Sequence, residues 1–209
     1  YSFSEGIAAV GINTGETDSA NEPIRKWSLI DKTGKEIASL DEQIQVIGAF
    51  SNGLAPVYTG SGCGFINKTG ELAFPYKYAY RLFMYTSPHI KEFSEGFARV
   101  EKDLGQNGFI DVTGREIAPC KYETASDFSE GLAAVSLNGK SGFIDGTGKE
   151  LIPCKFEGAD SFSEGLAAVA VGGKYGYIDK TGKEIVPCIY DRAHPFSGGF
   201  AVVEQKIEN

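Results

Sequence analysis

The chain has 209 residues, a formal net charge of −8 and a pI near 4.9, so its surface repels phosphate backbones and nucleic acid is excluded as the expected partner. Its hydrophobic content of 42% is that of an ordinary folded domain, its 27 glycines ask for many turns, and no apolar run reaches the length of a membrane span. Four cysteines without a Cys-x-x-Cys pair argue against a zinc knuckle or a redox motif.

In chain order, the first element is the stretch from Phe3 to Gly6, Phe-Ser-Glu-Gly, leading into an apolar strand from Ile7. This opening lies in the middle of a repeating unit, so a processed or trimmed form is expected. The first turn is expanded to Asn13–Pro23, which is polar and acidic. An Ile-Asp-x-Thr-Gly turn follows at Ile30–Gly34 and returns at Ile66–Gly70, Ile110–Gly114, Ile144–Gly148 and Ile178–Gly182, with Asn67 replacing the Asp once. Phe-Ser-x-Gly recurs at Phe50, Phe93, Phe128, Phe162 and Phe196. Pro-Cys-x-aromatic recurs at Pro119–Tyr122, Pro153–Phe156 and Pro187–Tyr190, with Pro75–Tyr78 as a variant. The first unit has Ser39 and Leu40 at this place, so its third strand is degenerate. The link after the second unit swells to the aromatic-rich insertion Tyr80–Ile90.

A fixed period of about 34 residues means a repeat architecture. One unit reads as three strands. Gly131–Leu137 is apolar and is followed by the hairpin signal Asn138-Gly139; Ser141–Asp145 and Lys149–Phe156 complete the meander. The first and third strands, such as Gly165–Val171 and Glu184–Tyr190, are apolar at consecutive positions and are expected to be buried on both faces. No sustained helical period is present. The predicted class is all-β: a tandem array of three-stranded antiparallel meanders stacked as blades, an open superhelix of solenoid type, with a closed five-bladed propeller-like ring as the alternative. Residues 1–209 form one domain of five units and a partial sixth.

These markers, in the order x-Gly-[Phe/Tyr]-Ile-Asp-x-Thr-Gly-[Lys/Arg]-Glu-[Ile/Leu]-x-Pro and then Phe-Ser-Glu-Gly-x-Ala, resemble the bacterial WG-repeat family over essentially the whole chain. Trp27-Ser28 keeps only the tryptophan of the name-giving pair. Cys63-Gly64, Asn107-Gly108, Ser141-Gly142 and Tyr175-Gly176 keep only the glycine. The resemblance implies a non-catalytic β-rich interaction module with no defined ligand.

The Asp-x-Thr-Gly loops offer one carboxylate each, whereas a calcium loop needs several, so the expected role is an Asp-capped turn with Gly148 or Gly182 at positive φ. Cys120, Cys154 and Cys188 occupy one repeat position in layers about 10 Å apart, too far to pair, and are expected to be inert thiols. Cys63 is read as part of a Gly-rich turn. The glutamates Glu5, Glu95, Glu130 and Glu164 admit two readings: an acidic row for a basic peptide, or, as preferred, part of the turn into each first strand. His194 sits at a variable link position and reads as a solvated side chain. No metal, cofactor or catalytic cluster is expected, and an enzyme is the weakest reading.

The expected function is binding of a protein or peptide, with a glycan or the cell envelope as the alternative through the repeated aromatics Phe109, Phe143, Tyr175 and Tyr177. The candidate surface residues are Tyr80, Phe83, Tyr85 and His89 of the insertion, with Tyr175 and Tyr177. The insertion reads equally as a cap over the array and as a binding patch. The compartment, cytoplasmic or exported, is left open.

Overall fold

The computed structural model describes residues 2–17, 23–60, 62–78, 92–102 and 105–206. Short apolar runs broken by glycine turns leave no room for a helical period, and the described residues hold strands and turns without a helix. The first repeat contributes β1 (Ile7–Thr17), β2 (Pro23–Asp31) and β3 (Glu36–Ser39), the second β4 (Ile44–Ile47), β5 (Leu54–Thr59), β6 (Gly62–Asn67) and β7 (Leu72–Tyr78). The third has β8 (Phe97–Lys102), β9 (Gln106–Asp111) and β10 (Glu116–Tyr122). The fourth has β11 (Thr124–Ala125), β12 (Leu132–Leu137), β13 (Lys140–Asp145) and β14 (Glu150–Phe156), and the fifth β15 (Gly158–Ala159), β16 (Leu166–Val171), β17 (Lys174–Asp179) and β18 (Glu184–Tyr190). The partial sixth keeps β19 (Arg192–Ala193) and β20 (Val203–Glu204).

The chain divides into two compact units, Tyr1–Glu101 with Val112–Gly114, and Lys102–Asp111 with Arg115–Asn209. In the first unit the sheets run β1-β2-β3 and β4-β5-β6-β7, and in the second β11-β12-β13-β14, β15-β16-β17-β18 and β19-β20. The strands of these sheets pair antiparallel with their neighbours in sequence. The fourth strand in three of these sheets was absent from the three-stranded reading. It comes from the link, whose backbone groups must find partners once the link is packed. Glu123 N–H donates to Ser136 O and Ser126 N–H to Ala134 O, each at 2.9 Å, which lays Thr124–Ala125 beside β12. The expanded first turn also differs from a loop: β1 and β2 stay paired out to Thr17 and Pro23.

Three turns recur, and each has its own chemistry. At Asn138-Gly139 both residues have positive φ, 53° and 69°, the mark of a two-residue type I′ hairpin. The Phe-Ser-Glu-Gly turn is of the same kind. Ser129 and Leu132 exchange backbone hydrogen bonds across Glu130 (φ 54°) and Gly131 (φ 86°). At Asp145–Gly148 one carboxylate oxygen accepts Thr147 N–H at 2.9 Å, Thr147 Oγ1–H at 2.6 Å and Lys149 N–H at 3.1 Å. Asn67 does the same with its amide oxygen, so the Asp-to-Asn exchange preserves the acceptor that the turn needs.

The glycine of the worn Trp-Gly pair also has a structural cause. Ser141 pairs with Phe156 and Phe143 with Ile152, so two residue steps on β13 face four on β14. The bulge carries Pro153, which has no N–H to lose, and presses the third strand onto Gly142. A Cβ on Gly142 would lie 2.5 Å from Ile152 O and 2.6 Å from Cys154 N.

The core forms between successive sheets. Leu132, Ala134, Phe143, Ile152 and Phe156 of the fourth repeat pack with Phe162 and with Ala167, Val169 and Ile178 of the fifth. The first strands β5, β12 and β16 are buried on both faces as expected, β5 throughout and the others over most of their length, whereas β8 is about half-buried and β1 is exposed beyond Ala9. Third strands are not. In β14 only Ile152 and Phe156 are buried, and β18 is half exposed, because this strand is the free edge of its sheet.

The turn glycines differ in what lies above them. A Cβ on Gly182 would meet the Ile152 side chain at 3.3 Å, whereas one on Gly148 would land on the Ile117 carbonyl of the preceding repeat. Gly182→Ala should cost about 1–2 kcal/mol, the ordinary penalty of a side chain at positive φ. Gly148→Ala should cost more, because backbone cannot step aside as a side chain can. Urea melts of the two variants check the ranking, and equal costs would contradict it.

Candidate functional site

The repeated glutamates read as an acidic row are not offered to solvent as a free surface. Glu5, Glu130 and Glu164 each engage the following repeat. Glu5 accepts Gly53 N–H at 2.9 Å and pairs with Lys68 Nζ at 3.0 Å. Glu130 accepts Gly165 N–H at 3.0 Å and pairs with Lys180 Nζ at 3.1 Å. Glu164 accepts Gly198 N–H at 2.6 Å and Gly199 N–H at 2.8 Å. The serine beside the glutamate does parallel work: Ser129 and Ser163 donate to Phe162 O and Phe196 O, each at 2.8 Å. Both side chains therefore tie one turn to the same turn of the next repeat. The only sequence sign of this was the placement of Lys68 and Lys180, each inside the Asp-x-Thr-Gly-type turn of the repeat after its glutamate.

A second set of carboxylates caps hairpins within a repeat. Glu123 accepts Gly139 N–H at 2.9 Å and Glu157 accepts Gly173 N–H at 2.7 Å. The tryptophan slot is also explained. Trp27 Nε1–H donates to Gln45 O at 3.3 Å, and Asn107, at the same repeat position, sends its amide N–H to Glu123 O at 3.2 Å. Gln45 and Glu123 are equivalent, each five residues before a Phe-Ser turn. Asn107 thus replaces the indole donor in kind.

Of the candidate surface residues, Tyr80, Phe83, Tyr85 and His89 lie outside the described residues, as does the rest of the Tyr80–Ile90 insertion. Tyr175 is partly exposed on β17. Tyr177 is a core residue, 2% exposed, so its reading as a surface aromatic is corrected. Its ring lies 4.9 Å from that of Phe196, and its hydroxyl donates to His194 O at 2.7 Å. Phe109 and Phe143, at the same repeat position, are fully buried against Phe128 and Phe162. Among the described residues, no three His, Cys, Asp or Glu side chains converge as metal ligands.

The four cysteines are unbridged. Cys63 lies in β6 and is fully buried, which corrects its placement in a turn; it holds the same slot as Trp27. Burial, with a contribution from Glu101, pushes its thiol up to about 12. Cys154 is only partly buried, with Sγ 3.8 Å from Val135 O. Desolvation and then Glu150 raise its thiol to about 11. Desolvation raises Cys188 too.

An array of small sheets tied turn to turn in this way is a tandem β-repeat scaffold. A model of the WG containing repeat matches residues 27–62, 64–103, 108–140, 142–175 and 175–206, and the chain belongs to the WG-repeat family. No curated protein gives a significant match. Among solved structures, the computationally designed Ika8 protein is similar at a TM-score of 0.50 and 15% identity, over 98% of this chain and 67% of that one. A eukaryotic initiation factor is similar at 0.50 and 9% identity, over 92% and 56%. BamB from Moraxella catarrhalis reaches 0.40 at 13% identity, over 78% and 59%. The chain therefore spans little more than half the length of the last two, and at such identities the likeness is one of fold alone.

Two measurements test the site chemistry. Raised thiol pKa values predict slow labelling of Cys63, Cys154 and Cys188 at pH 8, slowest at Cys63, and full labelling in denaturant. Rapid native labelling of Cys63 would contradict its burial. The second test is acid. The Lys68 hydrogen bond holds Glu5 below its ordinary range, and the Thr147 and Thr181 hydroxyls do the same for Asp145 and Asp179. Burial pulls Glu130 upward, but Lys180 and the Gly165 N–H outweigh it and the net shift is down. Depressed carboxyl groups stabilise the fold above their unfolded pKa and lose that effect as pH falls through the folded value. Urea midpoints should hold from neutrality to about pH 5 and fall below about pH 4. Glu130→Gln should make that fall shallower, and an unchanged acid slope would count against the assignment.

Proposed function

We propose that the chain is a non-catalytic scaffold that binds a protein or peptide along its repeat surface and through the Tyr80–Ile90 insertion. The observation that carries this reading is the free edge of the sheets in the second unit. Ile117, Leu151 and Ile185 occupy one position of β10, β14 and β18. Leu151 and Ile185 are each 47% exposed, beside the exposed Pro153 and Pro187. One apolar side chain per repeat on an outer strand is the kind of surface that an extended polypeptide can follow. The glycan alternative loses its main support, because Phe109, Phe143 and Tyr177 are core residues rather than a stacking ladder.

The test is capture from lysate of the source cell by three baits: the unaltered chain, a chain lacking residues 80–90, and a Leu151→Asp, Ile185→Asp double variant. A polypeptide identified by mass spectrometry with the first bait, depleted with either altered bait and then reproduced with purified components, supports the reading. A partner retained equally by all three, or binding only of purified cell-envelope glycan, would overturn it.

A further inference from the structure

In an Asn-Gly pair the asparagine side chain reacts readily with the backbone, because glycine leaves the attacking nitrogen unshielded. The pair occurs at Asn52-Gly53, Asn107-Gly108 and Asn138-Gly139. The structure treats the three differently. Asn107 is buried, and its side-chain amide donates to Tyr122 O at 3.3 Å and Glu123 O at 3.2 Å. Asn52 and Asn138 are exposed on turns and share one conformation, with φ 53° at each asparagine and 80° and 69° at the glycine that follows.

That conformation controls the chemistry. Cyclisation needs the glycine nitrogen beside the asparagine Cγ, on the same side of the Cα–C bond as the side chain. In a left-handed residue, with ψ of about +47°, that nitrogen lies nearly opposite Cβ. A turn held in this form is unreactive, and a turn that opens is not. Both exposed turns are held by a carboxylate, and it grips the very N–H that would attack. Gly53 N–H donates to Glu5 at 2.9 Å, and Gly139 N–H to Glu123 at 2.9 Å. Glu5 comes from the preceding repeat, is anchored by Lys68 Nζ at 3.0 Å, and takes the Asn52 N–H as well.

We propose that Asn52 is a modification site gated by the latch between the first and second repeats. While Glu5 holds Gly53, the asparagine persists; when that contact opens, it converts to aspartate and isoaspartate. In the open turn the Gly53 nitrogen bonds to Asn52 Cγ, and ammonia leaves with the proton of that N–H. The product is a cyclic succinimide. Water then adds to one of the two ring carbonyls and breaks its bond to nitrogen. Cleavage at Cγ gives aspartate, and cleavage at the backbone carbonyl gives isoaspartate. Isoaspartate adds a methylene to the main chain and sets a carboxylate near Glu5, so the latch no longer closes in its old form. A transient opening of the junction becomes a permanent one. Glu123 gates Asn138 in the same way within one repeat. None of this depends on what the outer strands bind.

Incubation of the purified chain at neutral pH tests the gate, with peptide mapping and enzymatic methylation of isoaspartate as the readout. Conversion at Asn52 and Asn138 should be many-fold slower in the folded chain than in urea. Glu5→Ala should speed conversion at Asn52 several-fold and leave Asn138 at its former rate. Glu123→Ala should do the reverse. Glu5→Gln, which keeps an acceptor but loses the charge, should fall between Glu5→Ala and the unaltered chain at Asn52. The crossed pattern separates gating from general loosening, which would speed both sites in either variant and would overturn the proposal. An Asn52 rate unchanged by Glu5→Ala overturns it too. So does a slower rate, which would make Glu5 the base that assists the reaction.

Discussion

From the second repeat onward an aromatic pair joins each repeat to the next, and in the first repeat Leu29 stands at the ring position and clusters with Phe50. The ring at the Phe/Tyr-Ile-Asp position meets the Phe that opens the next Phe-Ser turn, at 4.7 Å for Phe143 and Phe162 and 5.1 Å for Phe109 and Phe128. A sheet this small cannot bury its own apolar face, so the ring donated by the link closes each layer. Burying such a ring stabilises by about 1.5–3 kcal/mol, while a partly exposed ion pair of the Glu130–Lys180 kind contributes about 0–1 kcal/mol. The rings therefore supply cohesion. The glutamate and serine contacts fix which turn sits over which.

This division of labour accounts for the acidic composition. The Asp-x-Thr-Gly carboxylates accept donors of their own turns, the Phe-Ser-Glu-Gly carboxylates accept donors of the next repeat, and Glu123 and Glu157 cap hairpins. Many of the acidic side chains are thus acceptors for backbone N–H groups that the turns leave without a partner. A net charge of −8 in such a chain reflects how its turns are built, and a site for a basic ligand need not be invoked to explain it.

The exceptions to the pattern are informative for the same reason. Tyr177 adds a hydroxyl to a position filled by Phe65, Phe109 and Phe143 in the second to fourth repeats, and the hydroxyl reaches His194 O. Asn107 takes the place of Trp27 and keeps its donor. Cys63 fills that slot with a fully buried thiol. In each case the side chain changes while the backbone it must satisfy, or the volume it must fill, stays constant.

By itself, the sequence determined the strands, the period, the positive-φ glycines and the Asp-capped turns. These are local: a turn's hydrogen bonds lie within five residues, and a strand's pattern within one run. The tertiary structure alone decided what the markers do at a distance. It turned the repeated aromatics from a possible binding ladder into core, and placed Glu130 beside Lys180, fifty residues away in the chain. It drew a fourth strand from a link of weak β character, where Thr124–Ala125 pairs with β12. Sequence spacing says which residues recur. Which recurring residues meet depends on how one sheet stacks on the next, and that is set by packing across the junction.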